Sequence, residues 1–189
     1  MIIYLHGLNS SAGSEKARLM VEYCGKNGIA CAAPTLHHRP SEAMRQIEKY
    51  LADGKPHTVV GSSMGGFYAT WLCEQHRHLR GVLINPAVKL ADKLSDFVGV
   101  EQKNYNGGEN YLFEQVHLDE FRALETNGIS DPQRYLLMVQ KGDELLDYRE
   151  AVTFYQDAVH IVEEGGNHMF VDFPRHLSTI TEFAAQTAS

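Results

Sequence analysis

The sequence predicts an α/β protein built on one mainly parallel sheet with helices covering both faces. Three observations carry this. Short apolar runs alternate with helix-like stretches from residue 2 to about residue 185. Each apolar run ends in a loop marked by Gly, Asn or Pro. One of them, Val59-Val60, opens directly onto Gly61-Ser62-Ser63-Met64-Gly65-Gly66, a strand-to-helix turn with a serine at its centre.

The elements follow in order. Ile2 to Leu5 read as a buried strand, closed by the polar loop His6 to Gly13. Ser14 is a candidate N-cap with Glu15 in the first turn, and Ala17, Met20, Val21 and Cys24 form one apolar face of a helix ending near Asn27. A second strand over Ile29 to Ala33 stops at Pro34. The loop Thr35 to Pro40 precedes a helix from about Ser41 to Ala52, and the strand His57 to Val60 then enters the serine turn. A helix to about His76 is followed by the strand Gly81 to Ile84 and by Asn85-Pro86.

Residues 87–131 break the rhythm. They have weak periodicity, a Gly107-Gly108 pair and several aromatics (Phe97, Tyr105, Tyr111, Phe113, Phe121), which suggests an irregular lid or set of binding loops inserted in a single domain spanning 1–189. Alternation resumes with the strand Tyr135 to Val139, a helix near Tyr148 to Asp157, the strand Val159 to Val162, and a helix from about Pro174 to Ala185. Ligands of such sheets bind beyond the carboxyl ends of the strands. Those ends hold His6 to Gly13, His37 to Pro40, Ser63, Asn85, Gly142 to Asp147 and Gly165 to His168.

Composition narrows the function. The 189 residues are 43% hydrophobic and 22% charged, as expected of one globular domain. A net charge of -7 with no Lys/Arg cluster argues against nucleic acid and anionic membranes as partners, and no apolar run is long enough to span a bilayer. Cys24, Cys31 and Cys73 lack C-x-x-C spacing and read as buried free thiols, which suits a reducing cytoplasm. The start, Met1 to His6, reads as a strand and lacks the charged opening of a signal peptide. A monomer or small homo-oligomer is expected.

Gly61-x-Ser63-x-Gly65 has the spacing of a nucleophile elbow, where glycines relieve crowding around a serine in strained backbone geometry. Ser62 is then a packing residue. A serine hydroxyl needs a base, itself oriented by a third group. Of ten histidines, His168 follows the last strand after Gly165-Gly166 and reaches the active edge. His76, His78 and His117 sit in polar surroundings and read as surface residues, while His57 and His160 flank strands far from that edge. Asp143 after the preceding strand is the expected acid, with Glu144 and Asp147 as local alternatives. The oxyanion hole calls for the Met64 amide and one from the first loop, Leu8 or its neighbour Asn9. His6, Gly7, Asn9 and Asn85 are expected to line the substrate site. His37-His38 lacks a third ligand for a metal, and no cofactor is expected.

These stretches resemble the α/β-hydrolase superfamily, with chain order Ser, Asp, His. Ile-Tyr-Leu-His-Gly-Leu-Asn-Ser-Ser, Gly-Ser-Ser-Met-Gly-Gly-Phe-Tyr-Ala, Leu-Ile-Asn-Pro-Ala, Gly-Asp-Glu-Leu-Leu-Asp-Tyr and Gly-Gly-Asn-His are similar to the YqiA-type bacterial esterases over essentially the whole chain. The resemblance implies a three-layer hydrolase of about six strands that lacks the first antiparallel hairpin. It also implies a carboxylesterase acting on fatty acyl-CoA thioesters and short-chain aryl esters, with no cofactor. Acyl transfer on the same triad, and a silent binding module on the same fold, are the competing readings.

Overall fold

The computed structural model of the chain describes residues 1–103 and 110–186; Tyr105 and Gly107-Gly108 lie outside them. In chain order the first half contains β1 (Ile2–Leu5), α1 (Glu15–Lys26), β2 (Cys31–Ala32), α2 (Pro40–Leu51), β3 (His57–Ser62), α3 (Met64–Gln75) and β4 (Leu79–Ile84). Next come α4 (Leu90–Leu94), β5 (Val100–Gln102), β6 (Tyr111–Phe113) and α5 (Gln115–Ala123). The chain closes with β7 (Tyr135–Gln140), α6 (Tyr148–Phe154), β8 (Val159–Glu163) and α7 (Leu177–Ala185).

The main sheet has six strands in the order β2-β1-β3-β4-β7-β8, and all its neighbours pair in parallel. Strand period explains how it is buried on both faces. Ile3 and Leu5 of β1 join Val59, Leu83 and Leu137 in a core under α2, α3 and the inserted segment. Ile2 and Tyr4 point the other way and join Val60, Val82, Leu136 and Met138 under α1 and α7. β2 is a two-residue bridge, shorter than the expected Ile29 to Ala33, because only Cys31 and Ala32 register against Ile2 and Ile3. Ser14 does occupy the N-cap of α1, but its hydroxyl caps nothing and is buried without a partner. The three cysteines are free: Cys24 and Cys73 are buried, while Cys31 is only half-buried.

The segment 87–131 is not the irregular stretch the sequence suggested. β5 and β6 form a separate antiparallel ladder, and α5 follows at once, started by a capping box in which Glu114 and His117 exchange bonds. Three-residue strands are too short to show a period, which hid them. Phe113 and Phe121 are fully buried, and Phe121 packs on Phe67 and Tyr68 of α3. A second tie joins Glu120 to the Arg39 guanidinium and to the Ser41 amide and hydroxyl at the start of α2.

Candidate active site

Ser63 sits between β3 and α3 with φ 56° and ψ -120°, a conformation an L-residue adopts only when its surroundings enforce it. The enforcement is visible in the neighbouring glycines. A methyl on Gly61 would lie 2.1 Å from the Gly65 carbonyl oxygen, and one on Gly65 would lie 2.1 Å from the Leu5 carbonyl oxygen. β3 and α3 thus cross at van der Waals contact, and only glycine lets the turn close so tightly. The Ser63 amide donates to Ile84 O, and its carbonyl accepts from Ala87 N, so the turn is stitched to the end of β4.

At the end of β7, Asp143 accepts the Nδ1–H of His168 at 2.9 and 3.0 Å. That bond places the proton on Nδ1 and leaves Nε2 as the free acceptor of the ring. Burial pushes the Asp143 carboxyl up, but the His168 bond and the amides of Leu146 and Leu145 outweigh it and hold the group below the usual carboxylate range. Its side chain is 2% exposed against 13% for His168, so the acid is shielded and the ring is more open. The other two carboxylates do different work. Glu144 accepts the His168 backbone N–H at 3.0 Å, and Asp147 caps α6 through Arg149 N and pairs with the Arg149 guanidinium.

The histidine loop is braced by three side chains, Gln140, Lys16 and Asn85, of which sequence reasoning passed over the first two. Gly165 and Gly166 both take left-handed φ. Buried Gln140 accepts the amides of Asn167 and Val171 on Oε1 and donates to Val171 O. Lys16, reaching from α1, donates to Met169 O at 2.8 Å. Asn85 donates from Nδ2 to Asn167 O and His168 O while its Oδ1 accepts Gln140 N. Only the Gly-Gly pair is a visible sequence signal. Asn85 was expected to face substrate; at 2% exposure, with both amide atoms committed to backbone, it is a strut instead.

The first loop was also read as ligand-facing. His6 is buried, its Nε2 accepts Leu36 N at 2.9 Å, and its Nδ1–H therefore donates to Gly7 O at 2.8 Å. Burial outweighs the Gly7 bond and pushes this imidazole below its ordinary value, which keeps it neutral. Gly7 does meet the serine: a methyl there would lie 3.4 Å from Ser63 Cβ. Asn9, with φ 57°, spends its amide on Gln102 and Tyr111 of the inserted ladder. Leu8 is half-buried between them, and Met64 is the first residue of α3, where backbone N–H groups lack helical partners.

The histidines elsewhere take structural roles. His117 is buried, contrary to the surface reading, because its ring closes the α5 capping box through Nδ1 and donates Nε2–H to His38 Nδ1 at 2.9 Å. His38 stacks on Tyr111 and His37. Among the described residues, no group of three or more His, Cys, Asp and Glu is set to hold a metal ion, and no helix is long and apolar enough to cross a membrane.

Comparison with known proteins agrees with this architecture. Residues 1–185 match the family described as UPF0227, an uncharacterised protein family. UPF0227 proteins of Pectobacterium atrosepticum and Yersinia enterocolitica are each 25% identical over 193 residues, covering 97% of this chain and 98% of theirs. Est1E from Butyrivibrio proteoclasticus, solved with ferulic acid bound, superposes with a TM-score of 0.72 at 14% identity, covering 96% of this chain and 86% of that one. The α/β hydrolase domain-containing protein 10 from mouse gives 0.70 at 17% identity, covering 96% and 88%. A monoacylglycerol lipase from Paleococcus ferrophilus gives 0.70 at 15%, covering 96% and 94%. The fold is that of the α/β hydrolases.

Proposed function

The chain belongs to the UPF0227 family, and we propose that it is a serine hydrolase cleaving carboxylic esters and fatty acyl-CoA thioesters through an acyl-enzyme. The observation that carries this reading is a strained serine at the carboxyl edge of β3, on the same edge as a histidine whose Nδ1–H is fixed by a buried carboxylate. The Ser63 hydroxyl makes no capping bond to α3 that would offset the strain of its backbone. Backbone strain of the Ser63 kind costs about 1–3 kcal/mol.

Each residue has a step. Ser63 Oγ attacks the acyl carbonyl while His168 Nε2 takes its proton. Asp143 holds the productive tautomer and stabilises the imidazolium. The carbonyl oxygen, now negative, is met by the Met64 amide at the start of α3 and by the Leu8 amide. In a trans peptide the C=O and the following N–H point in opposite directions. His6 draws the Gly7 carbonyl to itself, so the Leu8 N–H is turned away from the His6 ring, which supports Leu8 over Asn9 as the second donor. His168 then returns the proton to the leaving alkoxide or thiolate, and the same ring activates water to release the acid.

The insertion at 87–131 serves as the lid over this edge and selects the acyl group. A panel of p-nitrophenyl esters and acyl-CoAs of graded length, assayed with wild type and Ser63→Ala, tests the reading and ranks the substrates. Turnover that survives in Ser63→Ala would sink it.

A further inference from the structure

The oxyanion loop and the insertion share one side chain. Asn9 Nδ2 donates to Gln102 Oε1 at 3.2 Å, and Asn9 Oδ1 accepts the Tyr111 hydroxyl at 2.8 Å. Gln102 and Tyr111 stand directly opposite each other across the β5–β6 ladder. One amide is therefore gripped by a cross-strand pair, with donor matched to acceptor on both of its ends. The grip is itself supported. Tyr111 stacks on His38 at 4.2 Å between centroids, and His38 accepts from His117, whose other nitrogen is locked in the α5 cap. Burial pushes the Tyr111 phenol up to about 12, so it remains a donor at neutral pH.

Asn9 adjoins the proposed oxyanion donor. Its left-handed φ of 57° fixes the direction in which the chain leaves Leu8, and left-handed backbone is tolerated but not preferred by asparagine. The Gly7–Leu8 peptide is thus held on its carbonyl side by His6 and just beyond its amide side by the Asn9 grip.

We infer that Tyr111 and Gln102 are positioning residues that, through Asn9, set the Leu8 amide for the oxyanion, so that seating the insertion and completing the oxyanion hole are one event. The inference rests on the serine-hydrolase reading above. Removing an oxyanion donor outright costs about 10²–10³ in turnover; a donor left in place but loosely held costs less.

The test is Tyr111→Phe, which deletes the hydroxyl and keeps the ring on His38. Ester hydrolysis and inhibition by a trifluoromethyl ketone, which forms a tetrahedral oxyanion on the serine, are measured together. The expected result is a roughly tenfold fall in kcat with KM little changed, and ketone affinity weakened by the same factor. Asn9→Gly keeps the left-handed backbone without the amide, and the double variant Asn9→Gly/Tyr111→Phe loses no more than Asn9→Gly alone. Changes confined to KM, additive losses, or a ketone affinity that does not follow kcat overturn the positioning role. A wild-type protein that neither turns over esters nor binds the ketone overturns the hydrolase reading beneath it.

Discussion

Asn85 holds His168 by its backbone: Nδ2 of Asn85 donates to the His168 carbonyl at 3.2 Å and to the adjoining Asn167 carbonyl at 3.0 Å. Asn85 follows β4, whose last carbonyl accepts the Ser63 amide. One side chain thus ties the serine turn to the histidine loop across the carboxyl edge of the sheet. Asn85→Ala leaves the buried Gln140 amide without its acceptor, takes a donor from the His168 carbonyl and from the Asn167 carbonyl (which keeps Phe170 N), and puts alanine at φ 39°. The orphaned Gln140 N–H alone costs about 1–3 kcal/mol, so chemical denaturation is expected to show at least a loss of that size. Asn85→Asp keeps the acceptor for Gln140 but sets a buried carboxylate against the two carbonyl oxygens, and is expected to lower both stability and kcat.

Ser63→Gly is expected to stabilise the protein while abolishing its activity. The serine hydroxyl makes no capping bond to α3, and glycine adopts φ 56° without steric cost. Relief of strain less the added unfolded-state entropy leaves a gain of about 1 kcal/mol, read as a higher Tm than wild type. Ser63→Ala removes the same hydroxyl without the relief, and its Tm should stay near that of wild type.

Gly65→Ala is expected to fail in the opposite way. The added methyl meets the Leu5 carbonyl oxygen, which is backbone of β1 held in register against Gly61 of β3 and cannot turn aside. Overpacking at such a point costs about 3 kcal/mol. Low soluble yield or a steep fall in Tm checks it.

The seating of the insertion weakens in acid. Burial, with His37, His117 and Arg39 nearby, pushes His38 down to about 4 against the opposing Glu120. Burial and Arg39 likewise lower His117, against Glu114 and Glu120. Both rings are depressed below the ordinary histidine value near 6.5, so above that pH neither state gains protons. Between there and about 4 the unfolded chain binds protons that the folded chain does not, and stability falls as pH falls. The drop in Tm between pH 7.5 and 5.5 is expected to be smaller in His38→Phe, which keeps the stack on Tyr111 without the titrating ring.

Much of the fold was legible because its signals are local. Apolar runs, Gly and Pro stops, and the serine turn need only neighbours in sequence, and they yielded the parallel sheet and the edge on which Ser63, Asp143 and His168 lie. The insertion was not legible, since β5 and β6 are too short for a period and their packing runs from Phe113 to Phe121 of α5 and from there to Phe67 and Tyr68 on distant α3. His117 looked like a surface residue because its partners, Glu114 and His38, are fixed by a capping box and by a loop some 79 positions away. Asn85, His6 and Asn9 were found but read as ligand contacts. Polar residues at a sheet edge look alike in sequence whether they face substrate or brace a loop, and only their hydrogen bonds separate the two.

The most direct test of the account is labelling with a fluorophosphonate probe, followed by peptide mass spectrometry and paired with p-nitrophenyl butyrate hydrolysis by wild type and Ser63→Ala. A single adduct on Ser63 is expected, with hydrolysis that falls by at least about 10³-fold in the variant. An unlabelled Ser63, or a variant that hydrolyses the ester as fast as wild type, would contradict it.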